Sequence, residues 1–385
     1  MQGKKYLKLA DRVLLRKFEV PIVYKAKTDE LYELDDEGFQ FLKDINRIDR
    51  SFDKQERDFI DYCIQEGIVE LSEKPEEISW TEGFRPSLRH LLLHTTYRCN
   101  LRCRHCYLEK KSRDMDYGVF ELLLDEFNSA GGLKVMLSGG EPLLHPEIDR
   151  MIALTNQYDF RKVLITNGTL INEKNCNIEV DEVQISIDGL ESHDLIRSEG
   201  SFEKAIKAVE LLRGSGVDVS IATMVHSLNA DEFEKMEKIF KELGVKSWMV
   251  DYPSIEGEMK SNTHLLLPPE KAARIMRNYG FFDSGHRSHG DYACGAHMCS
   301  SDPDGNISRC GFFEPVGNIR EGLDECWKRL NLTHLWKLEE IEGCRDCEIK
   351  ESCKGGCRFR AATFNSLNAP DPVMCAVYGK LYGKP

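Results

Sequence analysis

No run in this 385-residue sequence approaches the ~20 consecutive apolar residues that span a bilayer, which argues against a helical membrane protein. The N-terminus, MQGKKYLKLADRVLL, has neither a long apolar stretch nor a small-residue cleavage site. The expectation is therefore a cytoplasmic protein whose thiols stay reduced. Positive charge is in deficit: 52 Lys and Arg stand against 65 Asp and Glu, a net of −13. Such a chain repels a phosphate backbone, so the expected partners include no nucleic acid and no membrane. Repeats of about 20–50 residues and low-complexity tracts are also missing, which excludes solenoids and disordered arrays. With 41% apolar and 30% charged residues the balance is that of an ordinary globular chain. Its length suggests two or three domains at ~150 residues each.

What the sequence has in abundance is cysteine, 14 residues unevenly spread. Cys99, Cys103 and Cys106 fall within one short segment, and Cys294, Cys299, Cys310, Cys344, Cys347, Cys353, Cys357 and Cys375 fill the last quarter. In a reduced compartment these read as metal ligands or catalytic thiols, not disulfides. Cys63 sits on an apolar helix face and reads as core, and Cys176 and Cys326 as ordinary thiols.

Residues 1–80 read as a separate α+β unit of winged-helix type. Short strand-like runs at 12–18, 21–27 and 30–34 precede helices at 35–45 and 53–65, and a strand at 67–71 returns. The polar stretch 72–86 reads as a linker. From Leu88 strand and helix alternate. Strands are expected at 88–96, 134–140, 162–168, 182–189, 217–225 and 245–250, with helices between marked by apolar residues three and four apart. Six βα units imply a parallel sheet closed into a partial (β/α)6 barrel, an α/β fold. The short gap between the third and fourth strands leaves little room for a helix. Active sites of such folds gather at the carboxyl ends of the strands. After a helix-like stretch at 268–280 the chain is loop-rich and cysteine-rich to its end.

Cys99-Asn-Leu-Arg-Cys103-Arg-His-Cys106 can wrap one soft-metal centre. Three ligands leave a position open, whereas structural sites are closed by four. This CxxxCxxC after the first barrel strand, with Tyr107 behind the third thiol, resembles the radical S-adenosylmethionine (SAM) enzymes. The resemblance implies a 4Fe-4S cluster with one iron left free for SAM. It further implies that one electron from the cluster cleaves SAM to a 5′-deoxyadenosyl radical that takes a hydrogen from substrate. A zinc loop completed by a distant ligand or by His105 is the alternative.

Further motifs follow in barrel order. Ser138-Gly139-Gly140-Glu141-Pro142 ends the second strand, where glycine permits close backbone approach and a carboxylate suits an ammonium group. By resemblance it holds the SAM amino group. Asn167, ending the third strand, and Ser186 and Asp188, ending the fourth, would meet other parts of SAM, and Arg197 its carboxylate. Plain βα turns and a surface arginine are the alternatives.

Cys344-x2-Cys347-x5-Cys353-x3-Cys357, with Cys294, Cys310 and Cys375 and the turn sequence Asp302–Asn306, resembles the SPASM domain. The resemblance implies two auxiliary 4Fe-4S clusters, one on Cys294, Cys299, Cys310 and Cys357, the other on Cys344, Cys347, Cys353 and Cys375. Cys299 is the least secure, since some relatives leave that iron open. Two zinc sites fit the spacing almost as well. Residues 1–80, with Leu31-x-x-Leu34, Asp35-Asp36-x-x-Phe39 and Gly67-Ile68-Val69, resemble the PqqD-like RiPP recognition element, which binds leader peptides. That implies β-augmentation at a sheet edge, with Lys25 and Lys27 as candidates to meet acidic leader residues. A DNA-reading winged helix fits poorly, because these residues hold 14 basic and 19 acidic side chains.

Together these resemblances imply a radical SAM peptide maturase. Its domains would be 1–80 for leader binding, 81–87 as linker, 88–285 as radical SAM core and 286–385 as SPASM domain. It would install a thioether, carbon–carbon or carbon–oxygen crosslink, or another oxidative change, in a ribosomally made precursor. A one-electron reductant of flavodoxin or ferredoxin type would feed it. The same scaffold could act on a haem precursor or mature a sulfatase, or serve as a non-catalytic iron–sulfur or peptide-binding protein. The sequence singles out no general base.

Overall fold

The structure, a computed structural model, describes residues 6–46, 52–109, 111–281 and 290–380. The expected junction at 285–286 lies outside the described residues.

The N-terminal module has six strands: β1 (Tyr6–Leu9), β2 (Val13–Lys17), β3 (Pro21–Lys25), β4 (Glu30–Glu33), β5 (Val69–Ser72) and β6 (Trp80–Glu82). They form a β4-β3-β2-β6 sheet and a separate β1-β5 pair. Helix Asp36–Asp44 starts because the Asp35 side chain accepts from the Gly38 N–H. Helix Lys54–Gln65 starts on a capping box between Asp53 and Glu56. Period-two alternation decides the packing. Leu15 and Val23 face Phe39, Leu42, Ile60 and Cys63 in the module's own core. Leu14, Ile22 and Tyr24 face the other way and pack with Phe18 on Leu133 of the larger domain. The stretch read as a linker is partly strand, for β6 pairs in parallel with β2. Trp80 supplies the reason, since its ring packs edge-on against Phe39.

The six barrel strands are β7 (His90–Thr96), β8 (Lys134–Gly139), β9 (Arg161–Thr166), β10 (Glu182–Ser186), β11 (Asp218–Met224) and β12 (Ser247–Asp251). Each pairs in parallel with its neighbour in chain order. Alternate side chains, such as Leu91, Val135, Ile185 and Trp248, are buried against the outer helices. Their neighbours Leu92, Met136, Gln184 and Met249 line the lumen. Segment 167–181 holds turns and no helix, as its shortness implied.

The sheet does not stop at β7. Strand β13 (Met298–Ser301) pairs in parallel with it, and β14 (Asn306–Ser308) and β15 (Gly317–Asn318) extend the sheet to nine strands. The turn sequence at 302–306 joins β13 to β14 as expected, with Gly305 at φ +84°. The continuation was hidden because these strands are short and interrupted by cysteines.

At the opposite end of the barrel the N-terminal module closes the lumen. Residues 26–29 turn beneath the strands, with Asp29 in the left-handed region at φ +64°. Arg161 donates to the carbonyls of Ala26 and Lys27 at 3.0 and 2.9 Å. Lys134 Nζ meets Asp29 Oδ2 at 2.5 Å. Thr28 and Asp29 thereby form the floor of the cavity whose upper end holds the three-cysteine loop.

Candidate active site

The cavity runs through the lumen and encloses about 800 Å³. Tyr107, Gly139, Gly140, Asn167, Ser186, Asp188 and Arg197, singled out from the sequence, all line it, together with Cys99, Cys103 and Cys106. Glycine at 139 and 140 is a steric demand. A Cβ at Gly139 would lie 2.2 Å from the Thr96 carbonyl, and one at Gly140 2.4 Å from that of Arg98. The end of β8 is thus pressed onto the start of the cysteine loop, and the Gly140 and Glu141 N–H groups donate to those carbonyls.

Glu141 is a correction. It does not line the cavity but is fully buried behind it. Oε1 accepts from the Thr166 hydroxyl at 2.7 Å and the Leu143 N–H at 3.1 Å, and Oε2 from the Asn167 N–H at 2.8 Å. Its carboxylate therefore clasps β8 to β9 and holds Asn167 at the rim, instead of reaching toward a ligand ammonium.

Asp188, fully buried, is the electrostatic hub. Its Oδ2 accepts from Arg197 Nε at 2.6 Å and lies 3.3 Å from His105 Nε2, while Oδ1 takes the Met224 N–H at 2.8 Å. Burial alone would push this carboxyl up, but Arg197, His105 and His226 outweigh it and hold it well below the ordinary range. Burial pushes His105 down to about 4, only partly opposed by Asp188, so its imidazole is neutral near pH 7. Arg197 then reaches Cys103 Sγ with Nη1 at 3.9 Å. The expected Arg197 is thus in the site, but anchored to Asp188. Tyr107 packs tilted against Phe312 with centroids 4.5 Å apart and meets His94 Nε2 through its hydroxyl at 3.2 Å.

The C-terminal thiols divide into two sets. Burial raises Cys294 and Cys310, and the nearby Cys357 adds to both; burial likewise raises Cys344, Cys353 and Cys375, and the nearby Cys347 adds to all three. Cys299 joins neither, which corrects the expected eight-thiol pattern. It lies within β13 opposite Leu91, fully buried in the apolar core, where burial pushes its thiol up to about 12 and Cys326 adds to the shift. The alternation that aims Met298 into the lumen aims Cys299 away from it. The first set therefore offers three thiols, and Cys357 faces the same cavity as Cys99.

These residues fit clusters better than single ions. No three described His, Cys, Asp or Glu side chains converge on one metal ion. Thiols on separate corners of an iron–sulfur cube need not converge. Burial pushes Cys103 up to about 11 and Cys310 and Cys353 to about 12, so cationic metal is what would make them thiolates.

Sequence reasoning missed Asp251, Gly257, Phe312 and Arg360. Asp251, Phe312 and Arg360 line the cavity. A Cβ at Gly257 would lie 2.4 Å from the Cys106 carbonyl, so this glycine lets the loop after β12 seat on the cysteine loop. Asp251 alone carried a signal, its place at the carboxyl end of the sixth strand. Lys25 and Lys27, candidate leader contacts, pair with Glu30 and Asp11 of their own module.

The description "Radical SAM superfamily" belongs to the family model that matches residues 93–240. The chain is 31% identical over 314 residues to the AdoMet-dependent heme synthase of Methanosarcina barkeri, covering 69% of this chain and 90% of that protein. It is 25% identical over 320 residues to the PqqA peptide cyclase of Gluconobacter oxydans, covering 74% and 89%. Among solved structures, Streptococcus suis SuiB bound to its precursor peptide SuiA gives a TM-score of 0.69 at 17% identity, covering 96% of this chain and 99% of that one. A likeness at that identity is one of fold.

Proposed function

The chain belongs to the radical SAM superfamily and is an enzyme, and from that premise we propose that it modifies a ribosomally made peptide held by its N-terminal module. Membership implies SAM and a 4Fe-4S cluster, which when bound supply a hydrogen-abstracting radical. Cys99, Cys103 and Cys106 would hold that cluster, with one iron open. Asp188 fixes Arg197 beside Cys103, and Glu141 fixes Asn167 at the rim. Cys294, Cys310 and Cys357 would hold a second cluster, incompletely ligated by protein, and Cys344, Cys347, Cys353 and Cys375 a third, in a SPASM-like C-terminal domain. A flavodoxin- or ferredoxin-type protein would supply electrons.

The observation that carries the peptide reading is the N-terminal module itself. Its edge strand β4 is bonded on one side only, to β3, among the described residues. An extended leader can add there, as in β-augmentation. Tyr62 and Ile64, on the helix whose C-terminal end holds Tyr32 of β4 through Glu66, expose apolar surface nearby. The fold likeness to SuiB reaches 96% of this chain, so it takes in most of residues 1–80. The core segment would then enter the cavity for crosslinking.

The test is anaerobic incubation of reduced, cluster-loaded enzyme with SAM and synthetic candidate precursor peptides, each with a leader half and a core half, drawn from short reading frames found beside its gene. The reading expects 5′-deoxyadenosine and a peptide that has lost hydrogens, both dependent on the leader half. Deoxyadenosine without any peptide mass change refutes it. A haem-precursor reading is favoured by the 31% identity to a heme synthase. It expects turnover of that precursor and indifference to leader peptide.

A further inference from the structure

We propose that Asp251 is the proton acceptor of the reaction, an inference that rests on the peptide-maturase reading. Joining two peptide X–H groups removes two hydrogens. The first leaves as an atom to the radical derived from SAM. The second leaves as a proton when the new bond forms, and the electron left on the peptide passes to an oxidised iron–sulfur cluster. The chamber must therefore present a basic atom that nothing else occupies.

Among the described residues four carboxylates line the cavity: Asp29, Glu182, Asp188 and Asp251. Three have both oxygens engaged. Asp29 accepts from the Tyr24 hydroxyl at 2.6 Å and from Lys134 at 2.5 Å. Glu182 accepts from Ser220 at 2.5 Å and from Arg161 at 2.6 Å. Asp188 is held by Met224, Arg197 and His105. Asp251 differs. Its Oδ1 takes the Tyr252 N–H at 2.7 Å and Arg360 Nη1 at 3.1 Å, while Oδ2 has no partner among the described residues. The side chain is 44% exposed and lines the cavity. His105 is no substitute, for Nε2 faces Asp188 and Nδ1 is buried without a partner. The Tyr252 hydroxyl donates to the Leu267 carbonyl.

Position agrees with inventory. Asp251 ends β12, and the loop it starts seats on the cysteine loop, where the Glu258 N–H donates to the Cys106 carbonyl at 2.8 Å. On its other side, Arg360 N lies 3.5 Å from Cys357 Sγ. Asp251 thus lines the same cavity as Cys106, whose loop its own loop touches, and Cys357, which caps the helix that carries Arg360. Arg360 is already matched by Asp371, at 2.7 and 3.0 Å, so it orients Asp251 without depending on it for charge balance.

The experiment compares wild-type, Asp251→Asn and Asp251→Glu holoenzyme, anaerobic and reduced, with SAM and the synthetic precursor peptide in D2O. In Asp251→Asn the ratio of deoxyadenosine to crosslinked peptide rises at least ~100-fold, within the usual range for a lost general base. Recovered unmodified peptide gains solvent deuterium, and Asp251→Glu restores crosslinking in part. Iron content and peptide affinity by fluorescence anisotropy match wild type, which separates the effect from misfolding. Crosslinking by Asp251→Asn within threefold of wild type overturns the assignment, as does a parallel fall of both products. If wild-type enzyme leaves the peptide unaltered, the maturase reading itself falls and takes this one with it.

Discussion

Replacing Asp188 by Asn tests the electrostatic hub directly. The carboxylate is fully buried and Arg197 is 10% exposed, so solvent screens their pairing little. The variant keeps the shape but leaves the guanidinium with Cys103, at 3.9 Å, as its nearest anionic prospect. His105, neutral near pH 7, adds no compensating charge. Removing one partner of a buried pair destabilises by about 3–5 kcal/mol. At about 2–4 °C per kcal/mol that lowers the melting temperature of the metal-free protein by roughly 6–20 °C. Because Asp188 titrates below the ordinary range in the folded state, its contribution is present above the unfolded carboxyl value of about 3.9 and fades as pH falls through the lower folded value. The gap between wild type and variant should therefore be full at pH 7 and shrink below about pH 4. Urea denaturation across pH measures it. Adding Arg197→Met to Asp188→Asn should recover part of the loss, since the orphaned charge is then gone. A loss under ~1 kcal/mol, or a double variant weaker than Asp188→Asn alone, refutes the argument.

Cys299→Ala should leave the iron content of reconstituted protein unchanged, whereas Cys294→Ala, Cys310→Ala and Cys357→Ala each lower it; equal loss in all four returns Cys299 to the ligand set. Glu141→Gln puts an amide where two backbone N–H groups and a hydroxyl all donate, and should lower stability by about 1–3 kcal/mol in chemical denaturation. Cluster reconstitution of the metal-free protein with iron and sulfide should go nearer to completion as pH rises, because thiols raised by burial, Cys353 to about 12 and Cys375 to about 11, must each release a proton; a pH-independent yield contradicts this.

The barrel was legible because its signals are local. Each strand is a short apolar run, each helix repeats its apolar residues at three and four, and the three-cysteine loop announces a metal centre by spacing alone. Asp35 and Asp53 marked their helix starts as caps. Long-range pairings left weaker traces. Strand β6 covers only Trp80–Glu82 in a polar stretch, and its partner β2 lies far back in the chain. Cys299 has the right spacing for a ligand, yet its fate is decided by β13 pairing with β7, which no local pattern encodes. Glu141 was placed in the right motif with the wrong orientation, because Thr166 and Asn167 claim its oxygens across the sheet. Asp251 differs from other acidic residues only by what surrounds it.

The turn at 26–29 that seals the barrel from below has a consequence for engineering. A module joined only by a tether could be exchanged among catalysts, but the N-terminal module here is also the stopper of the vessel. Excising it, or grafting on a foreign module without an equivalent of Asp29 and the backbone held by Arg161, would uncork the chamber and admit water to the reactive end. Chimeras of this catalyst must carry the stopper along with whatever recognises the cargo.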